Sequence, residues 1–228
     1  MLDWERNWRG AGVVFAVLIV IASIIYGSAP KAGAGSDQLV AFFNGDRTRI
    51  LIAAIVFCFA FLELLWFGAA LSSALRDAGQ GGWGAAATAS SAALGAMLFL
   101  IMALRAGLAF SIADSGHPEF TTGLYQSSWA LAVIVSFPAA MFVMSGAFGL
   151  WRADLISSRF FSAGVVAVVL VLLGGTTWAT NGFWAPDGGY ALVSRLVLVA
   201  WIVVISGFLY MQSPSAAKAP ERVAVPAP

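Results

Sequence analysis

The sequence predicts an all-α fold, a polytopic membrane helix bundle with six transmembrane helices. Two observations predict it. Of the 228 residues, 61% are hydrophobic and only 10% charged, with a mean hydropathy of +0.89. Soluble domains carry about 45–50% apolar and about 25% charged residues, and a water-soluble fold of this size leaves roughly a third of its unfolded surface exposed. So much apolar side chain needs the bilayer as part of its solvent. The second observation is that the apolar residues fall into six runs, each near the roughly 20 residues that a spanning helix requires at ~1.5 Å per residue.

The first run extends from about Ala11 to Ala29. A cleaved signal peptide is its rival reading, with Arg6 and Arg9 as the charged start and Ala32-Gly33-Ala34 as a cleavage-like site. The apolar run exceeds the ~7–15 residues usual for a signal core, so it is read as a retained helix. The second span covers about Ile50 to Leu75, behind Asp46, Arg47 and Arg49, and stops at Arg76-Asp77-Ala78-Gly79. The third is about Gly84 to Ile112, the fourth Ser127 to Trp151, the fifth Phe160 to Trp178 and the sixth Tyr190 to Met211. Gly79-Gln80-Gly81-Gly82, Ser115-Gly116-His117-Pro118 and Pro186-Asp187-Gly188-Gly189 separate them, with the residue types that end helices. One membrane domain over 11-212 therefore follows a short N-terminal segment, 1-10. The Pro/Ala-rich tail 213-228 has nothing to pack and reads as disordered.

Lys and Arg in short loops set orientation. With the N-terminus in the cytoplasm, the inner segments hold Arg6, Arg9, Arg76, Arg152, Arg159, Lys218 and Arg222, and the outer ones only Lys31, Arg47 and Arg49. Both termini are predicted cytoplasmic. Trp83 and Trp151 then sit at inner helix ends, and Trp178, Phe183, Trp184 and Tyr190 cluster at an outer loop, as interfacial aromatics do.

A net charge of +1 without a Lys/Arg block argues against nucleic acid as a partner. The bilayer is the expected partner, with a small ligand or a second membrane protein as further candidates. Cys58 is the only cysteine and lies in an apolar run, so it reads as a small core hydrophobe. There is no serine nucleophile with a histidine base, no phosphate-cradling loop and no Cys-x-x-Cys pair. No lysine lies in a span to form a Schiff base, and no cofactor is implied. Asp114, His117 and Glu119 fall within one outer loop, but His117 is the only histidine, and the group reads as a solvated loop rather than a metal site.

Three ionisable residues fall within spans: Glu63, Arg105 and Arg195. A charge at a helix centre costs about 2.5–3.5 kcal/mol on insertion scales, so such residues face the bundle and find partners. Glu63 lies ~18 Å below the outer end of the second span and Arg105 ~10 Å below that of the third. The gap is short enough for the two side chains to meet. The stripe Gly84, Thr88, Ser91, Gly95, Leu98, Met102, Arg105 and Ala109 forms one face of the third span, small at its start. Val56, Ala60, Glu63, Phe67, Ala70 and Ala74 form the facing stripe. The leading expectation is a structural Glu63–Arg105 ion pair. The alternatives are an outward polar cavity around Glu63 and Arg105 with Arg195 at its mouth, or a protonated, hydrogen-bonded Glu63. Arg195 also has a simpler reading, snorkelling to the outer headgroups.

Pro138 is expected to kink the fourth span by removing a backbone hydrogen bond, as a packing feature. Ser145 and Gly149 read as an intramolecular small-residue seam, and Gly174-Gly175-Thr176-Thr177 with Thr180 and Asn181 as a polar outer end.

Four stretches carry a family resemblance: Phe42-Phe43-Asn44-Gly45-Asp46-Arg47-Thr48-Arg49, Ala74-Leu75-Arg76, Phe137-Pro138, and Phe148 to Arg159. In them the chain resembles a loose group of uncharacterised bacterial, mainly actinobacterial, six-helix integral membrane proteins. Those relatives tend to carry proline where this chain has Ser158. The resemblance implies six helices in a bacterial cytoplasmic membrane and brings no activity, substrate or catalytic residue. The expected role is non-enzymatic, a bundle that packs or binds a partner; the alternative is a small transporter or ligand-binding protein.

Overall fold

The computed structural model describes residues 8–212. Arg6, Lys218, Arg222 and the expected tail 213–228 lie outside the described residues. The chain forms α1 (Ala11–Tyr26), α2 (Ser36–Gly45), α3 (Arg47–Asp77), α4 (Gly81–Gly107) with a π-helical turn (Leu108–Ile112), α5 (Pro118–Ile134), α6 (Ser136–Arg152), α7 (Ser158–Gly174) and α8 (Gly189–Met211). Arg47–Asp77, Gly81–Ile112, Pro118–Arg152 and Gly189–Met211 are long and apolar enough to cross a membrane, which marks the chain as a membrane protein. α1 and α7 are apolar but shorter, at 16 and 17 residues.

Helix ends follow local chemistry. At the end of α3 the Gln80 N–H donates to Leu75 O and the Gly79 N–H to Arg76 O, with Gly79 at φ +76. That is a Schellman stop, which needs a residue able to take positive φ. Asp154 plays the same part after α6 at φ 53, with Leu155 N–H donating to Leu150 O. α7 opens on Ser157, whose side chain accepts from the Phe160 N–H.

Two segments expected to be loop are helical. α2 lies in the stretch between the first two spans, and buries Leu39 and Phe43 completely. These are four residues apart, one face of a short helix. α5 begins at Pro118 rather than near Ser127, because proline suits the first turn of a helix, where its missing N–H has no partner to lose.

The fourth span is interrupted where Pro138 cannot donate to the Ile134 carbonyl. α5 stops at Ile134, Val135 takes a turn, and α6 resumes at Ser136.

Small residues set the helix spacing, since packing in lipid depends on close approach. A Cβ on Gly68 of α3 would lie 2.6 Å from Ser91 Cβ of α4, and one on Gly12 of α1 2.8 Å from Ser206 Cβ of α8. Ser145 and Gly149 are buried inside the bundle, Gly149 against Leu75 and Trp83. The central core gathers Phe67, Leu71, Phe142, Leu150 and Ile202. A second core joins α2 to the ends of α1, α4 and α5 through Phe43, Ile50, Leu108 and Tyr125.

Candidate functional site

A cavity of about 350 Å³ lies between α1, α3, α4, α5 and α8. That is within the range of small-molecule sites. Its walls are apolar over most of their length, with Phe15, Ile19, Leu64, Leu94 and Leu98 among them. Tyr26, Arg105, Trp129 and Arg195 line it as well. By helix position these four lie nearer the end of the bundle that carries α2, whereas Phe15, Leu64 and Leu94 lie deeper.

Arg105 is held in an aromatic cage. Its Cζ lies 4.9 Å from the Trp129 ring centroid, 5.8 Å from that of Tyr125 and 6.0 Å from that of Tyr26. Rings at this range attract a cation through their quadrupoles. Arg105 Nε donates to Ser128 Oγ at 3.3 Å, and that hydroxyl donates to Tyr125 O at 2.7 Å. The cage forms because Tyr125 and Trp129 are four apart on α5 and so share a face, while Arg105 sits one turn before the π-helical end of α4. Such turns re-aim side chains and recur at functional sites.

Arg195 reaches the same tryptophan, with its Cζ 5.7 Å from the Trp129 centroid, and donates through Nη2 to Pro186 O at 2.9 Å. The two guanidiniums are close enough to repel each other, and Asp187 is the carboxylate whose field reaches Arg195. Among the described residues neither arginine forms an ion pair. Asp187 accepts instead from the Ala32 N–H at 3.4 Å and lines a separate polar recess with Lys31 and Asn181.

Two buried donors remain unpaired here, the Tyr26 hydroxyl and the Trp129 indole N–H. Each has a polar neighbour, Arg105 and Tyr125 respectively, but neither pair is aligned for a hydrogen bond. Tyr26 is 5% and Trp129 8% exposed. An unmet buried donor costs about 1–3 kcal/mol, so two in one cavity call for an explanation.

The end of the cavity beside the arginines is crossed by residues 27–35. Gly27 turns the chain out of α1 at φ +74, a conformation that disfavours side chains. Tyr125 Oη donates to Pro30 O, and Gln126 Nε2 to Ala32 O, while Ala32 N–H holds Asp187. The cleavage-like Ala32-Gly33-Ala34 thus belongs to a strap tied down at three points. A water-sized cavity of about 30 Å³ adjoins the main one, sharing Ala132, Val135, Arg195 and Leu198. The Pro138 interruption therefore borders a cavity, where the sequence favoured ordinary packing. Val135 keeps helical φ and ψ and its N–H still donates to Leu131 O, so the chain stays helical in direction while Pro138 leaves the Ile134 carbonyl without its helical donor.

Of the three intramembrane charges, the structure brings Arg105 and Arg195 together and leaves Glu63 apart. The expected Glu63–Arg105 ion pair does not form among the described residues, and Glu63 does not line the cavity. The reason is register. α3 lines the cavity through Phe57, Phe61 and Leu64, and at ~100° per residue Glu63 falls on a different face. Glu63→Gln is therefore expected to leave the melting temperature of the detergent-solubilised protein unchanged or slightly raised. A structural pair would lose about 3–5 kcal/mol on the same substitution, so a marked drop would restore that pair. Arg195 is exposed, and its head reaches out to Pro186 O in the loop before α8 while lying over Trp129, a placement compatible with the snorkelling reading.

Sequence reasoning missed Tyr26, Tyr125 and Trp129. The four-residue spacing of Tyr125 and Trp129 was available as a signal, but a span opening at Ser127 divides the pair. His117 Nδ1 lies 3.8 Å from Glu119 Oε1, both highly exposed, and no cluster of metal-ligating side chains occurs among the described residues. Cys58 is half-buried. No protein-family model, curated protein or solved structure matches the chain.

Proposed function

We propose that this is a six-span protein of a bacterial cytoplasmic membrane, with both ends in the cytoplasm, that binds an anionic ligand in the Arg105–Arg195 cavity. α1 and α7 complete the six spans. Both are apolar, and Phe15, Ala22, Val168 and Val171 on them are buried in the bundle. The Lys/Arg distribution supports the orientation, which puts the strap on the outer side.

One observation carries the binding role. Two guanidiniums and two unpaired donors converge on one cavity, and among the described residues no carboxylate forms an ion pair with either arginine. Cations in a low-dielectric space are costly alone, and an anion there gains charge-assisted hydrogen bonds from both arginines. The aromatic cage tolerates the empty state but supplies no counter-charge. Among the described residues, the polar groups lining the cavity are mainly the two arginines, the Tyr26 hydroxyl and the Trp129 N–H, donors suited to gripping an anion. This favours the ligand-binding alternative over a bundle that only packs, and moves its centre from Glu63 to Arg105 and Arg195.

Thermal unfolding in detergent tests it, with a panel of short- and long-chain carboxylates and phosphates. A ligand present at about 100 times its Kd stabilises by about 2.7 kcal/mol. The wild type is expected to melt higher with at least one of these anions, and Arg105→Gln/Arg195→Gln to show no such rise. If none stabilises the wild type, or the double variant responds equally, the reading fails.

A further inference from the structure

From the shape of the cavity we infer that the ligand is a single-chain amphiphile, an anionic carboxylate or phosphate head on an apolar chain, taken from the bilayer. This rests on the anion-binding reading above and specifies what lies behind the anion.

The cavity is polar at one end only. Between Phe15 and Tyr26 on α1, and between Leu94 and Arg105 on α4, it runs eleven residues along each helix, about 16 Å. That is close to half of a hydrocarbon core about 30 Å thick, the depth of one leaflet. A small hydrophilic anion would fill the arginine end and leave the rest as empty apolar space lined by Phe61, Leu64, Leu94 and Leu98. An acyl or similar chain fills it, and each buried methylene contributes about 0.8 kcal/mol.

The route of entry points the same way. At the aqueous end the strap is held by Tyr125, Gln126 and Asp187. On the bilayer side, α1 and α8 touch closely at Gly12 and Ser206, where Ser206 Oγ also donates to Arg9 O. Eleven residues along each helix, about 16 Å away, the corresponding positions are Ser23 and Arg195, and there both helices border the cavity. Between that close contact and the arginine end, Ile19 on α1 and Val199 on α8 both line the cavity, so the seam between these two helices is the route we assign from the bilayer. A chain sliding in through that seam from the leaflet carries its head toward the arginines, the Tyr26 hydroxyl and the Trp129 N–H. The two unpaired donors then gain acceptors, as a buried polar network requires.

The test uses the full chain, purified in detergent and stripped of lipid, with native mass spectrometry as the readout. The probes are palmitate and a monoacyl glycerol phosphate, each against its chainless counterpart, acetate and glycerol 3-phosphate. At least one long-chain probe is expected to bind one per chain and at least about tenfold tighter than its counterpart, since two or three buried methylenes suffice for that factor. Arg105→Gln/Arg195→Gln is expected to lower that affinity at least about tenfold. Ile19→Trp, at the seam, and Leu98→Trp, inside the apolar part, are each expected to weaken the long-chain probes and to leave the chainless ones unchanged. Two positions are used so that one poorly folded variant does not decide the outcome. If the chainless anions bind as tightly as the long-chain ones and depend on the arginines, the amphiphile inference is overturned and the anion reading stands. If the long-chain probes bind but ignore the arginine substitutions, they are boundary lipid and both fall. If no probe binds, both fall as well.

Discussion

Arg105→Glu is expected to abolish anion binding, by at least about a hundredfold in affinity, while leaving the fold intact. The substitution removes a donor to the ligand and places a like charge in its path. Charge-assisted hydrogen bonds contribute about 1.5–3 kcal/mol, and like-charge juxtaposition costs several kcal/mol. Together these exceed the ~2.7 kcal/mol that a hundredfold loss represents. Stability moves much less. The variant loses the contacts of Arg105 with Trp129 and Ser128, about 0.5–2 kcal/mol for the ring contact. It also removes the repulsion between Arg105 and Arg195 and gives Arg195 an acidic neighbour. The melting temperature of the empty protein is expected to correspond to a change within about 1 kcal/mol. A variant that unfolds in mild detergent would instead make Arg105 a structural residue of the bundle, and a variant that still binds the wild-type anion would place the ligand elsewhere.

The second large effect is on stability. Gly68→Ala is expected to destabilise the bundle by about 1–3 kcal/mol, read as a loss of thermal stability and of monodisperse protein in detergent. The added Cβ would sit 2.3 Å from Ser91 Oγ and 2.6 Å from Ser91 Cβ. The hydroxyl can rotate away, but the Cβ is fixed to the backbone, so α3 and α4 must separate. Among the described residues theirs is the most extensive helix–helix contact, and packing in lipid has no hydrophobic driving force between helices to make good the loss. Gly68→Ala/Ser91→Gly adds a methyl on α3 while removing the hydroxymethyl group that it would meet on α4, and is expected to recover most of the stability. The coupling between the two sites is then the diagnostic quantity. Equal damage in the single and double variants would show that this seam does not hold α3 to α4.

The sequence alone was sufficient for the all-helical class and the membrane setting, because both follow from composition and the length of apolar runs. It also placed several helix ends well. The stop at Arg76-Asp77-Ala78-Gly79 became a Schellman turn because glycine at that position accepts positive φ. Ser91 and Gly95 were correctly read as a contact face, since small residues three and four apart in an apolar run have few other uses. The amphipathic α2 was hidden because its ten residues are too few for a span and begin with polar Ser36, Asp37 and Gln38.

Partners were not legible. Glu63 and Arg105 were matched by depth along their helices, and depth is only one coordinate. Which way each side chain points around its helix, and which helices stand next to one another, is settled by packing at seams such as Gly68–Ser91 and Gly12–Ser206. Those seams turn Phe57, Phe61 and Leu64 toward the cavity and leave Glu63 out of its lining. The cage of Tyr26, Tyr125 and Trp129 draws on α1 and α5, about a hundred residues apart in sequence. No local pattern specifies such a meeting. Charge in the membrane was visible residue by residue, whereas its destination was decided by the tertiary structure, because rotation and neighbourhood in a bundle are properties of the whole set of helices.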